Sequence, residues 1–146
     1  MNIRILSMGI AVLGLAQFAL AQSSVVEPKA GSALRTTVLN GLRPTVERDL
    51  NQKVQFKVYG LRVYKGWAFF EGSALQPNGN EANLRITHYR SRIGTAGFGG
   101  DEMFALLKLS GKQWKVKAYV FGPTDVTWVD WWGKPYYAPR AVFPGL

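Results

Sequence analysis

The sequence predicts an α+β fold: one amphipathic helix packed on a curved antiparallel sheet of four to five strands, closed over by an aromatic C-terminal wrap. Three observations predict it. Apolar residues recur at four-residue spacing once, between Leu34 and Leu50. They then alternate with polar residues in successive runs as far as Phe121. The stretch from Gly122 to Leu146 holds Pro123, Pro135, Pro139 and Pro144, so it forms no long regular element. It also holds Trp128, Trp131, Trp132, Tyr136, Tyr137 and Phe143, which make it too apolar for a free tail.

The N-terminus carries an export signal. Arg4 supplies a positive charge, Ile5 to about Leu15 supply an apolar core, and Ala19-Leu20-Ala21 supplies a small-x-small cleavage pattern before Gln22-Ser23-Ser24. The apolar core is shorter than the ~20 residues of a membrane span. The expectation is therefore a signal peptide at 1–21, a short mobile leader at 22–30 and a single domain at 31–146. No later segment is apolar enough to span a membrane. The product would be periplasmic or secreted.

Cysteine is absent, which excludes disulfides, thiolate metal sites, cysteine nucleophiles and a lipid-anchoring cysteine together. Eighteen Lys and Arg stand against nine Asp and Glu, a net charge of +9 for the full chain. Only Arg4 among the charged residues would leave with the signal. In an exported protein such a balance suits anionic envelope partners, or simply keeps the chain soluble. Nucleic acid does not fit the compartment.

The elements follow in order. Gly31-Ser32 offers a helix start with Ser32 as N-cap. Leu34, Val38, Leu42, Val46 and Leu50 form the buried stripe, with Leu39 beside it. Arg35, Arg43, Glu47 and Arg48 lie off the stripe, Pro44 should kink the helix, and Asn51 ends it. Val54, Phe56 and Val58 alternate with Lys53, Gln55, Lys57 and Tyr59. At Gly60 the phase shifts to Leu61 and Val63, which reads as a β-bulge. Lys65-Gly66 is a turn into a strand from Trp67 to about Leu75. After the loop Pro77-Asn78-Gly79-Asn80, the alternation of Leu84, Ile86 and His88 predicts another strand. Gly94 to Gly100 should be mobile. Met103–Leu109 and Trp114–Phe121 form a hairpin closed by Ser110-Gly111-Lys112, with Trp114, Val116, Ala118 and Val120 on one face. Val54, Phe56, Val58, Trp114, Val116 and Val120 should meet the helix stripe in the core.

This order resembles the cystatin-like and NTF2-like group of sheets wrapped on a helix. The stretches VLNGLRPTVERDL, FKVYGLRVYKGWAFFEG and ALLKLSGKQWKVKAYVFGPTDVTWVDWW, with APRAVFP at the end, are similar to a recurrent domain of exported bacterial proteins. That resemblance implies export and an α+β fold and carries no catalytic residues with it. An NTF2-like enzyme usually completes a conical pocket with further helices, whereas one helix is visible here.

Few residues suit catalysis. His88 is the only histidine, and a lone histidine on a strand is more often packed or exposed than catalytic. It leaves no zinc site, and no cofactor motif is present. Asp101-Glu102 point apart along a strand. Asp125 and Asp130 bracket Trp128; Asp125 suits either a turn cap or a general acid beside aromatic rings. Glu71 is the best general-base candidate if it faces a concave side. The glycines of GTAGFGGD lack the Gly-Lys-Ser/Thr of a phosphate loop and suit a flexible binding lip.

Two features point to binding. Lys53, Lys57, Lys115 and Lys117, interleaved with Tyr59 and Tyr119, should form a basic face opposite the core. It serves as a solvated face or as a seat for an anionic polymer or acidic surface. Trp131, Trp132 and Tyr136 could stack on sugars or anchor a partner, or fill the open end of the sheet. Adjacent tryptophans in an extended segment point to opposite sides, which puts one of the pair towards the surface. The expected function is an exported envelope-binding domain. Its partner would be an anionic wall-derived polymer or an exported protein, the latter including an enzyme that it inhibits. The alternative is an NTF2-like enzyme or small-ligand carrier, with Glu71, His88 or Asp125 facing a pocket between helix and sheet.

Overall fold

In a computed structural model, which describes residues 23–146, the four-residue apolar spacing becomes a single helix, α1 (Ala33–Leu50). The expected signal at 1–21 lies outside the described residues, as does Gln22. The Ser32 side chain accepts a hydrogen bond from the Arg35 amide and satisfies one of the unpaired donors of the first turn. At the other end Asn51 adopts a left-handed conformation (φ 51°) and its amide bonds to the Glu47 carbonyl, which stops the helix. Val38, Leu42, Val46 and Leu50 are fully buried. The helix runs through Pro44, which lies on its exposed side. Proline has no N–H, so the Asn40 carbonyl lacks its intrahelical donor.

Four strands follow in a meander: β1 (Gln55–Tyr64), β2 (Trp67–Leu75), β3 (Glu102–Ser110) and β4 (Gln113–Phe121). They pair antiparallel in the order β1-β2-β3-β4, and the sheet is not closed. Lys65 and Gly66 both have positive φ, 45° and 76°. That pair makes the two-residue primed turn whose twist suits a hairpin. No described helix is long and apolar enough to cross a membrane.

The predicted strand at Leu84–Tyr89 is not formed. Two 3-10 turns, Leu84–Ile86 and His88–Arg92, stand there instead. Asn83 accepts from the Arg85 amide and Thr87 from the Tyr89 amide. These local side-chain bonds offer the backbone an alternative to a ladder. The leader is also not free. Val26 pairs with Val63 on the outer edge of β1, with bonds of 2.9 and 2.8 Å, and Glu27 meets Arg62 at 3.2 Å.

Two bulges set which side chains face the helix. The register of β1 and β2 jumps between Val58 and Gly60, so Tyr59 is the extra residue and the phase shifts where Gly60 predicted it. A second jump, not foreseen, occurs in β4: Leu106 pairs with Ala118 and Leu107 with Val116, leaving Lys117 unpaired. Trp114 and Val116 therefore face the helix, as do Tyr119 and Phe121 beyond the bulge. Ala118 and Val120 face away, against the expectation for Val120.

The sheet is buried on both sides. On the helix side Phe70, Ala74, Met103, Ala105 and Leu107 meet the α1 stripe. On the other side Trp67, Phe69, Phe104, Leu106 and Ala118 are covered by the C-terminal segment through Trp128, Trp131, Tyr136, Val142 and Phe143. Arg62 holds that segment down, donating to the carbonyls of Val142 and Ala141 at 3.1 Å each. Each large apolar side chain buried this way contributes roughly 1.5–3 kcal/mol.

The helix approaches β4 closely because residue 41 is glycine. A Cβ there would lie 2.4 Å from the Trp114 carbonyl oxygen and 2.7 Å from its Cβ. Gly41→Ala gains helix propensity of about 1 kcal/mol. The clash with backbone outweighs it, so a net destabilisation of about 1–2 kcal/mol is expected in urea unfolding.

Candidate functional site

The structure separates the lysines that alternation had placed on one face. Lys53 and Lys57 lie on or beside β1, and Lys115 and Lys117 lie on β4, at opposite edges of the sheet. The C-terminal segment covers much of the face between them. Tyr119 is turned inward by the bulge at Lys117. Lys57 stays exposed with its ammonium 5.5 Å from the Tyr59 ring.

Lys115 instead belongs to a groove between α1 and β4, of about 610 Å³. Its helix wall is the stripe Thr37, Asn40, Gly41, Pro44, Thr45 and Arg48, and its strand wall runs from Lys112 to Val116. The helix wall recurs at three- and four-residue spacing without one large apolar side chain, so the groove stays open. It follows α1 for eleven residues, about 16 Å at the helical rise. The charged residues of its lining, Arg48, Lys112 and Lys115, are all cationic. Among the described residues none of the three has a carboxylate partner, for the ion pairs are Lys53–Glu47, Arg62–Glu27 and His88–Asp49. Lys115 also stands directly opposite Lys108 across the β3–β4 ladder, on the face turned away from the helix. Like charges in that relation repel.

Two of the catalytic candidates share a second groove, on the face away from the helix. Glu71, Glu102 and Asp125 line it together with Phe104, Pro123 and Trp128, around about 390 Å³. Burial holds the Glu71 carboxyl above its ordinary value of 4.5, and the charge of Glu102 adds to this. Glu71 therefore does not face α1, and neither does Asp125. The layer between α1 and the sheet is filled by Val38, Leu42, Val46, Phe70, Met103 and Leu107, all fully buried.

His88 sits at the C-terminal end of α1, in a small polar knot. Its Nε2 lies 2.8 Å from Asp49 Oδ1, and the Tyr89 hydroxyl donates to Asp49 Oδ2 at 2.8 Å. Burial, then the bond to Asp49, pushes the Tyr89 phenol well above its usual range. The buried Tyr119 hydroxyl nearby has no hydrogen-bond partner among the described residues. Its phenol is likewise pushed up, by burial first and then by the charge of Asp49. The imidazole is largely exposed and stacked near Tyr89, ring centres 4.0 Å apart. The described residues hold no group of three or more acidic or histidine side chains placed to bind a metal ion. This knot ties α1 to the 3-10 turn after it.

The aromatic wrap divides its two adjacent tryptophans. Trp131 packs inward, 6.5 Å from Phe69 and 6.4 Å from Tyr136. Trp132 is 42% exposed, with the Arg140 guanidinium 4.7 Å above its ring. Trp128 lies parallel to Phe143 at 6.0 Å.

Sequence reasoning did not place Arg48, Asp49 or Lys112 in a site, and it set Glu102 aside because its side chain points away from that of Asp101. Arg48 and Lys112 had one usable signal, the second helical stripe of small and polar residues ending at Arg48. Asp49 and Glu102 depend on long-range packing of the 3-10 turns and the tail. No known family, curated protein or solved structure matches the chain.

Two outcomes test this geometry. Asp49→Ala leaves the buried Tyr89 hydroxyl and His88 without their acceptor. It is expected to cost about 1–3 kcal/mol in denaturant unfolding. For Glu71, the raised pKa means that the folded chain holds this proton to higher pH than the unfolded chain. The stability it contributes is full below its ordinary value of 4.5 and is lost as pH rises through the raised one. Glu71→Gln removes that loss, so the variant gains on the parent in thermal melts as pH rises above 4.5.

Proposed function

We propose that this protein is an exported binding domain that holds an anionic, wall-derived polymer in the groove between α1 and β4. The signal-like N-terminus supports export. The unpaired cations of the groove support the ligand's charge, and one observation carries the reading: Arg48 from α1 and Lys112 from the β3–β4 turn line its two walls with no carboxylate partner among the described residues. An anion laid along the groove meets both cations. The shape supports an extended ligand, since the groove follows the helix for three turns and is open to solvent along its length. Trp114 and Val116 give its wall an apolar strip against which a sugar ring or acyl bridge can lie. The Asn40 carbonyl, left free by Pro44, offers an acceptor to an N–H or hydroxyl of the ligand.

The test is co-sedimentation with purified cell-wall sacculi over a salt series, using protein recovered from culture and checked for an N-terminus at Gln22. Binding that weakens with salt is expected. Arg48→Gln with Lys112→Gln should weaken it by roughly tenfold, because each removes a desolvated charge contact. Lys53→Gln on the far edge should leave it unchanged. Sacculi left in the supernatant at low salt, or equal loss in the Lys53 variant, would overturn this reading.

A further inference from the structure

The outward side of the C-terminal wrap has a pattern that the groove does not use. Between Val126 and Gly133 the backbone closes successive three-residue turns: Val129 to Val126, Trp131 to Trp128 and Gly133 to Asp130, at 3.0–3.2 Å. In such a turn, side chains three apart lie over one another. Trp128 and Trp131 therefore share the inner side and pack on Phe69. Val129 and Trp132 share the outer side, 39% and 42% exposed, while Val126 before them lines the groove of Glu71, Glu102 and Asp125. Two further turns at Gly133 bring the chain round to Tyr137, which is 65% exposed. Val129, Trp132 and Tyr137 make an exposed apolar ridge.

Its cations are placed for an anionic surface. Arg140 lies over the Trp132 ring, and Lys134 sits between Trp132 and Tyr137 in the chain. On the strand that the wrap covers, Lys108 lies 5.0 Å over Trp67. Asp130 is the one carboxylate within the turn run, while Asp125 lines the groove beside Glu71. Tryptophan and tyrosine with flanking Lys and Arg suit the boundary between lipid headgroups and acyl chains, where the ring is half buried and its polar edge stays wet. An exposed ridge enters such a boundary without needing a matching pocket.

We infer that the ridge of Val129, Trp132 and Tyr137 docks the protein on an anionic lipid surface. This is independent of what the α1–β4 groove holds. It buries the apolar side chains at the acyl boundary and sets Lys134 and Arg140 among the lipid phosphates.

The test is vesicle co-sedimentation of the full chain, with vesicles of phosphatidylcholine alone or mixed with phosphatidylglycerol. A companion measurement is fluorescence quenching by brominated acyl chains. All five tryptophans lie at Trp67 or later, so quenching reports the folded domain and not the apolar N-terminus. The expected result is binding to the mixed vesicles with quenching. Trp132→Ala with Val129→Ser should weaken binding by roughly tenfold, and unchanged thermal melting shows that the fold is kept. Trp132→Phe should keep binding and lose much of the quenching. Binding without quenching overturns the inference. So does binding that the ridge variant leaves unchanged but Arg48→Gln with Lys112→Gln abolishes. No binding to mixed vesicles overturns it outright.

Discussion

β2 and β3 carry large apolar side chains on both faces, and everything else in the chain is arranged to cover them. Phe70, Met103 and Leu107 face one way; Phe69, Phe104 and Leu106 face the other. A four-stranded sheet with only one covered face would leave three large side chains in water, at roughly 1.5–3 kcal/mol each. One amphipathic helix can cover one face only. The second cover is the proline-rich C-terminal segment, which supplies rings where it cannot supply a helix. Arg62 secures the end of that cover by giving two guanidinium donors to its backbone, so a single residue of β1 joins both termini to the sheet.

The two bulges are the price of covering the faces unequally. In β1, the extra Tyr59 lets Phe56 and Val58 before it, and Leu61 and Val63 after it, all turn to the helix. In β4, the extra Lys117 does the opposite work. Trp114 and Val116 stay under α1, while Ala118 and Val120 are handed to the tail side. The same step sends Tyr119 inward, where burial and then the nearby charge of Asp49 push its phenol above its usual range. A bulge and exposed lysines at Lys115 and Lys117 also make the β4 edge a poor template for another strand.

Much of the fold was legible because it rests on local patterns. The helix, its caps at Ser32 and Asn51, the hairpin turns and the bulge at Gly60 each depend on residues a few positions apart. The strand expected at Leu84–Tyr89 failed where alternation competed with two capping side chains, Asn83 and Thr87, whose bonds are just as local. The bulge at Lys117 carries no glycine or proline to mark it, and missing it put Tyr119 and Val120 on the wrong sides. The site was legible only in part for the same reason. Lys115 was visible as a basic residue, but its companions Arg48 and Lys112 come from a helix and a turn that meet it only because Gly41 admits the Trp114 backbone.

The charges sort themselves as a consequence of this packing. Three of the carboxylates, Glu71, Glu102 and Asp125, gather at the end of the tail-covered face that the rings leave open. Burial first, and then the charge of Glu102, hold the Glu71 carboxyl above its ordinary value there. Asp49 is spent on His88 and Tyr89, Glu47 on Lys53, and Glu27 on Arg62. The cations of the α1–β4 groove and of the hairpin end are left without partners inside the fold. A protein with equal numbers of each sign could pair them; this one has twice as many basic as acidic residues, and its fold holds the acidic ones elsewhere. The positive charge left unpaired among the described residues is thus a product of both composition and topology.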